Sequence, residues 1–131
     1  MIKKILIVDD SLVARMMIEN SIPSDKGYEV SVAADGREGV EKYRQFMPDV
    51  TFMDLTMPEL DGFKATEEIL GFDKDAVIIA LTADIQSKSI SRITELGAFG
   101  VIQKPARPEM IKKTLEAVTL KLEKSEPDND I

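Results

Sequence analysis

The chain has 131 residues, 44% of them hydrophobic and 31% charged, with a formal net charge of −7. That length suits one globular domain with one core. The absence of cysteine and histidine excludes disulfides, thiolate metal sites, His-ligated zinc and His-based triads, and the acidity runs against nucleic-acid binding, which calls for a basic stripe.

The first ten residues, MIKKILIVDD, place four apolar residues, Ile5 to Val8, between a lysine pair and an acid pair. This run is too short for a signal peptide or a membrane span, so a cytoplasmic protein is expected, and the run itself reads as a strand. Ser11 then suits an N-cap for a helix that must end before Pro23. Met16 and Met17 within it are expected to pack in the core. Val30 to Ala33 forms a second apolar block. It is followed by Gly36 to Phe46, with Val40, Tyr43 and Phe46 at helical spacing and Pro48 as a stop. The third block is Val50 to Met53. After Asp54, Met57-Pro58 fixes a turn, and Asp61-Gly62 opens a helix that closes near Gly71. Val77 to Leu81 is the fourth block, and the helix after it spans Ser87 to Leu96 with Gly97 as its C-cap. Val101 to Ile102 is the fifth, and the last helix starts after Pro108 with Ile111, Leu115, Val118 and Leu122 in register.

The blocks lack polar alternation, which suits strands covered on both faces. Five of them alternating with five helices specify an α/β fold, a doubly wound parallel sheet. Residues 1–122 form the domain, and 123–131 read as an acidic, disordered tail. Lys64, Lys74, Arg92 and the Lys112-Lys113 pair read as solvated faces.

Ligands of such sheets bind at the carboxyl ends of the strands. Asp9 and Asp10 follow the first block, Asp54 the third, Thr82 the fourth and Lys104 the fifth. One polar residue at a strand end is ordinary, but an acid pair, a lone acid, a hydroxyl and a lone lysine on one rim are a constellation. Two unit charges about 4 Å apart repel by roughly 4 kcal/mol at an effective dielectric of about 20. Three clustered carboxylates against one ammonium therefore call for a hard, oxygen-seeking dication, Mg²⁺. A carboxylate beside that ion, with an ammonium and a hydroxyl at hand, is equipped to accept a phosphoryl group.

The pieces ILIVDDS, PDVTFMDLTMPELDG, LTA and GAFGVIQKP, spanning residues 5 to 105, resemble the receiver domains of response regulators, the CheY-like family. The resemblance implies a flavodoxin-like five-stranded sheet of order 2-1-3-4-5 flanked by five helices. It also implies a stand-alone phosphoprotein of two-component or phosphorelay signalling. A sensor histidine kinase or phosphotransfer protein would phosphorylate Asp54, changing affinity for a downstream protein, with no nucleic-acid or membrane partner. Asp10 and Asp54 would ligate Mg²⁺ directly, Asp9 mostly through water, and the Thr56 carbonyl would be a further ligand. Thr82 and Lys104 would hold the phosphoryl oxygens. Such a domain is no enzyme beyond its own phosphorylation and dephosphorylation.

One departure matters. Receiver domains usually carry Tyr or Phe three residues before the lysine, where this chain has Val101, so the usual aromatic relay has no ring to move. Phe99 either shares a face with Val101 or, more simply, packs in the loop. Thr56 and Asp84 stand at positions resembling those that tune phosphoryl lifetime. Other readings fit less well. A constitutive interaction module would not need the intact acid set, and a haloacid-dehalogenase-type phosphatase needs an acid where Thr56 stands. A nucleotide or flavin binder needs a Gly- or Ser/Thr-rich loop where this chain has DDS.

Overall fold

The computed structural model describes residues 1–57, 60–84 and 86–125. Strands β1 (Lys4–Val8), β2 (Glu29–Ala33), β3 (Val50–Asp54), β4 (Ile78–Thr82) and β5 (Gly100–Gln103) form one parallel sheet, ordered β2-β1-β3-β4-β5. Helices α1 (Leu12–Ser21), α2 (Gly36–Phe46), α3 (Gly62–Phe72), α4 (Ser87–Leu96) and α5 (Pro108–Ser125) connect and flank the strands. The order reverses between β1 and β3, so the carboxyl ends of these two strands flank the crevice where such sheets place ligands.

The pleat divides each strand between two cores, because successive side chains point to opposite faces. Ile5, Ile7, Phe52, Ile79 and Leu81 face Ile18 of α1 and Ile111, Leu115 and Val118 of α5. Leu6, Val8, Met53 and Ile78 face Val40 and Tyr43 of α2 and Ala65 and Ile69 of α3. A smaller cluster of Leu55, Ala80 and Ile93 holds α4, with Val101 packed against it. Tyr43 buries its ring, and its hydroxyl donates to Asp73 Oδ2 at 2.7 Å, which satisfies the one polar atom that the burial would otherwise orphan.

Helix starts follow local chemistry. Ser11, Asp35 and Asp61 each accept a hydrogen bond from the backbone N–H three residues on, capping α1, α2 and α3. Gly97 ends α4 in the left-handed region, at φ 111°, where glycine carries no Cβ penalty.

Several boundaries differ from the sequence reading. β3 and β4 each run one residue past their apolar blocks, because Asp54 pairs with Leu81 and Thr82 with Gln103 in the ladder. A single 3₁₀ turn, Ser24–Lys26, precedes β2. α5 continues three residues beyond Leu122, where Glu123 and Lys124 are good helix formers and Lys124 complements the negative end of the helix. The tail from 126 to 131 lies outside the described residues, as does Pro58 of the expected turn.

Met16 and Met17 are not core residues: they are 53% and 44% exposed. The buried stripe of α1 runs through Ile18 and Ser21 to Ile22 at the helix end, with Met16 off it and Met17, four residues before Ser21, at its solvent edge. Met17 and Val13 instead line an open groove of about 360 Å³ between α1 and Lys104-Pro105-Ala106. Phe99 is not packed in its loop either. Its N–H donates to Ile78 O at 2.8 Å, but the residue is 39% exposed. Lys64, Lys74, Arg92, Lys112 and Lys113 are exposed as read, with the Arg92 guanidinium lying 4.1 Å over the Phe63 ring.

Candidate functional site

β1 ends by delivering Asp9, which is 0% exposed. Three local bonds fix it. Its N–H donates to Ala33 O at 3.1 Å, its Oδ1 accepts Ser11 N–H at 2.9 Å, and its carbonyl accepts from Arg15 Nη1 at 2.7 Å. Asp10 follows, exposed. β3 carries Asp54 as its last residue, 3% exposed, at the tip of a strand with every residue buried. Thr56 N–H donates to Asp54 Oδ1 at 3.3 Å.

The approach of α3 to this tip depends on Gly62. Its N–H donates to Leu55 O at 3.2 Å, and a Cβ there would run into the Asp54 carbonyl and the Leu55 Cα. The sequence marked Gly62 as a permissive residue, but the constraint is close approach, not a positive φ.

Carboxylate oxygens of Asp9, Asp10 and Asp54 all lie within 4.8 Å of one another. Lys104 reaches into the cluster from the end of β5, its backbone held by an N–H bond to Thr82 O at 2.8 Å. Its Nζ is 2.7 Å from Asp9 Oδ2 and 3.4 Å from Asp54 Oδ1. The shorter contact pairs the buried Asp9 Oδ2 with the ammonium, and no other protein group satisfies that oxygen. The Lys104-Pro105 peptide bond is cis.

The electrostatics follow from this crowding. Burial first, and then the charge of Asp9, push the Asp54 carboxyl up to about 6, with Lys104 and the Thr56 N–H pulling the other way. Burial alone would lower the Lys104 ammonium, but the carboxylates of Asp9 and Asp54 outweigh it and raise the group above its usual value. One ammonium thus faces three carboxylates, two of them buried. An all-oxygen donor set of three carboxylates, two of them buried, with more negative charge than one ammonium can offset fits a hard dication that keeps some water.

Thr82 is brought to the same edge, yet its hydroxyl is engaged elsewhere. It donates to Asp84 O at 3.1 Å and accepts Asp84 N–H at 2.9 Å. The structure therefore gathers Asp9, Asp10, Asp54 and Lys104 as read from the sequence, sets the Thr56 amide on Asp54, and turns Thr82 toward its own loop. The sequence reading missed Arg15. An arginine one turn into a helix looks like any solvated cation, and nothing in the spacing marks its bond to the Asp9 carbonyl. No helix among the described residues is long and apolar enough to cross a membrane.

Comparison with known proteins agrees with this geometry. The family model of the response regulator receiver domain matches residues 5–116. The chain is 41% identical over 118 residues to the chemotaxis protein CheY of Thermotoga maritima, covering 89% of this chain and 98% of that one. It is 40% identical over 119 residues to CheY of Bacillus subtilis, covering 88% and 99%. Among solved structures, Vibrio cholerae CheY4 superposes with a TM-score of 0.81 at 35% identity, covering 90% of this chain and 99% of that one. A CheX-CheY-BeF3-Mg+2 complex from Borrelia burgdorferi matches with a TM-score of 0.83 at 29% identity, covering 89% of each chain. The chain belongs to the response regulator receiver domain family, the CheY-like regulators of two-component signalling.

Proposed function

We propose that this response regulator takes a phosphoryl group from a histidine kinase or phosphotransfer protein onto Asp54, with Mg²⁺, and thereby changes its affinity for a downstream protein. The observation that carries the reading is the trio of carboxylates within 4.8 Å of one another, two of them buried, with a single ammonium. Folding alone gives no reason to bury that charge.

A carboxylate oxygen of Asp54 attacks phosphorus. The new O–P bond forms as the donor's N–P bond breaks, and the electron pair of that bond leaves on the imidazole nitrogen. Asp10, Asp54 and the Thr56 carbonyl would hold Mg²⁺, with Asp9 mostly through water, and the bound ion would supply positive charge to the carboxylates and phosphoryl oxygens. Lys104 offers its ammonium to one phosphoryl oxygen from a position already beside Asp54. The Thr82 hydroxyl donates to another once it has left the Asp84 carbonyl. The Borrelia CheY structure was solved with BeF3 and Mg+2 and with CheX as partner, which supports both the ion and a protein target here. The chain catalyses only its own phosphorylation and dephosphorylation. It works in the cytoplasm, with no nucleic-acid or membrane partner.

The test is labelling with radioactive acetyl phosphate. Label should enter the wild type with Mg²⁺ and fail to enter with EDTA. It should also fail to enter Asp54→Asn, whose fold is checked by circular dichroism. Label entering Asp54→Asn at the wild-type rate would overturn the assignment.

A further inference from the structure

A threonine hydroxyl has one proton to donate, and that of Thr82 goes to the Asp84 carbonyl at 3.1 Å while the Asp84 N–H returns a bond at 2.9 Å. Asp84 is in turn fixed by its own carboxylate. Its Oδ1 accepts Gln86 N–H and its Oδ2 accepts from Ser89 Oγ, both at 2.9 Å. Gln86, the N-cap residue of α4, makes no cap bond with its side chain, so Asp84 serves the first turn of α4 from two residues upstream. Thr82, Asp84 and that turn form one hydrogen-bonded chain. Elsewhere α4 is lightly held, with Ile93 as its one buried residue.

We propose that Asp84 is a positioning residue that keeps the Thr82 hydroxyl spent on its own loop and ties release of that hydroxyl to movement of the first turn of α4. The inference rests on Asp54 as phosphoacceptor. A phosphoryl oxygen there competes with the Asp84 carbonyl for a single proton. When it wins, the carbonyl loses its partner, the loop re-forms its bonds, and the cap on α4 moves with it. With valine at position 101, this chain of bonds gives the site a route to α4 that needs no aromatic ring. It also holds down the competent arrangement, and apparent affinity falls with the fraction of molecules in that arrangement. Loosening Asp84 therefore tightens binding at Asp54.

Beryllofluoride with Mg²⁺, titrated into the full chain and followed by amide shifts, tests this. Asp84→Ala should tighten binding by about two- to tenfold, the range of one ordinary hydrogen bond. Ser89→Ala, a milder change, should tighten it less. Asp84→Asn keeps an acceptor for Gln86 and a partner for Ser89 without the charge, and should bind as the wild type does. In a Thr82→Ala background, Asp84→Ala should have no effect. In the metal-free protein, amide exchange at residue 84 should quicken in both Thr82→Ala and Ser89→Ala. The proposal is overturned if Asp84→Asn tightens binding as much as Asp84→Ala, since charge alone would then explain it. It is equally overturned if Asp84→Ala has no effect, if its effect survives in Thr82→Ala, or if exchange at residue 84 is unchanged in both variants. A wild type that fails to bind beryllofluoride would instead strike the reading of Asp54, and the proposal with it.

Discussion

The two ends of the sheet's carboxyl edge are built differently. At the β1–β3 end, Asp9 and Asp54 sit in the interior on strands buried along most of their length, and α3 is packed so closely that Gly62 has no room for a Cβ. At the β4–β5 end, Thr82 is held by hydrogen bonds to its own loop, and α4 buries only Ile93. Packed interiors resist displacement, whereas the bonds that anchor Asp84 to Gln86 and Ser89 are exposed and can be exchanged at small net cost. The first end is suited to fixing charges for chemistry, and the second to having two arrangements that a bound group can choose between.

The largest effect should come from filling the tight end. Gly62→Ala puts a methyl against backbone atoms that cannot swing aside, and should destabilise by about 3 kcal/mol or more. Gly71→Ala on the same helix meets nothing within 4 Å and should stabilise by about 0.5–1 kcal/mol. Urea unfolding of the pair checks both, and equal effects would mean that α3 is not wedged against β3.

Metal comes next. At 100 times its dissociation constant, Mg²⁺ should add about 2.7 kcal/mol to the wild type by mass action. Asp10→Ala should abolish that gain while leaving the metal-free protein at least as stable. A thermal melt of the wild type that ignores saturating Mg²⁺ would contradict a metal centre at the β1–β3 end.

A somewhat smaller effect follows from the Asp54 carboxyl, which burial and Asp9 push up to about 6. The folded protein then binds that proton more tightly than the unfolded chain does. The associated stability is complete below about pH 4, the ordinary aspartate value, and is lost as pH rises through about 6. Asp54→Asn removes this cost, so in EDTA it should stabilise by on the order of 2 kcal/mol above pH 7, with the gain shrinking toward pH 4. A gain that stays constant with pH, measured by urea unfolding, would contradict the raised carboxyl.

The smallest effect belongs to the other end. Val101 is half-buried against Leu55, Ala80 and Ile93, and Val101→Ala should cost about 1 kcal/mol and leave the labelling rate within about twofold. A large loss of labelling would mean that position 101 relays the signal despite having no ring.

The strands were legible because a sheet covered on both faces writes itself as unbroken apolar blocks, and the acids were legible because they interrupt those blocks at one end. Ser11 and Gly97 could be read because caps are local chemistry. What a single helix turns outward is not local. Met16 and Met17 look like core residues until the stripe through Ile18 and Ile22 is known, and that stripe is set by the sheet and by α5. The role of Gly62 was hidden for the same reason, since close approach needs a second element to approach. The bonds of Asp84 to Thr82, Gln86 and Ser89 fall within five residues, yet Asp84 could equally have faced solvent. Only the placement of α4 decided it.

The contrast between the two ends can be measured in one experiment, an amide-shift map taken first with Mg²⁺ alone and then with Mg²⁺ and beryllofluoride. Mg²⁺ alone should move Asp9 to Ser11 and Asp54 to Thr56 and leave α4 in place. Beryllofluoride should add shifts concentrated between Ala83 and Leu96 that disappear in Thr82→Ala. If Mg²⁺ alone moves α4 as far, or if the added shifts survive in Thr82→Ala or centre on a reoriented Phe99 ring, the division between a fixed chemical end and a switching end is wrong.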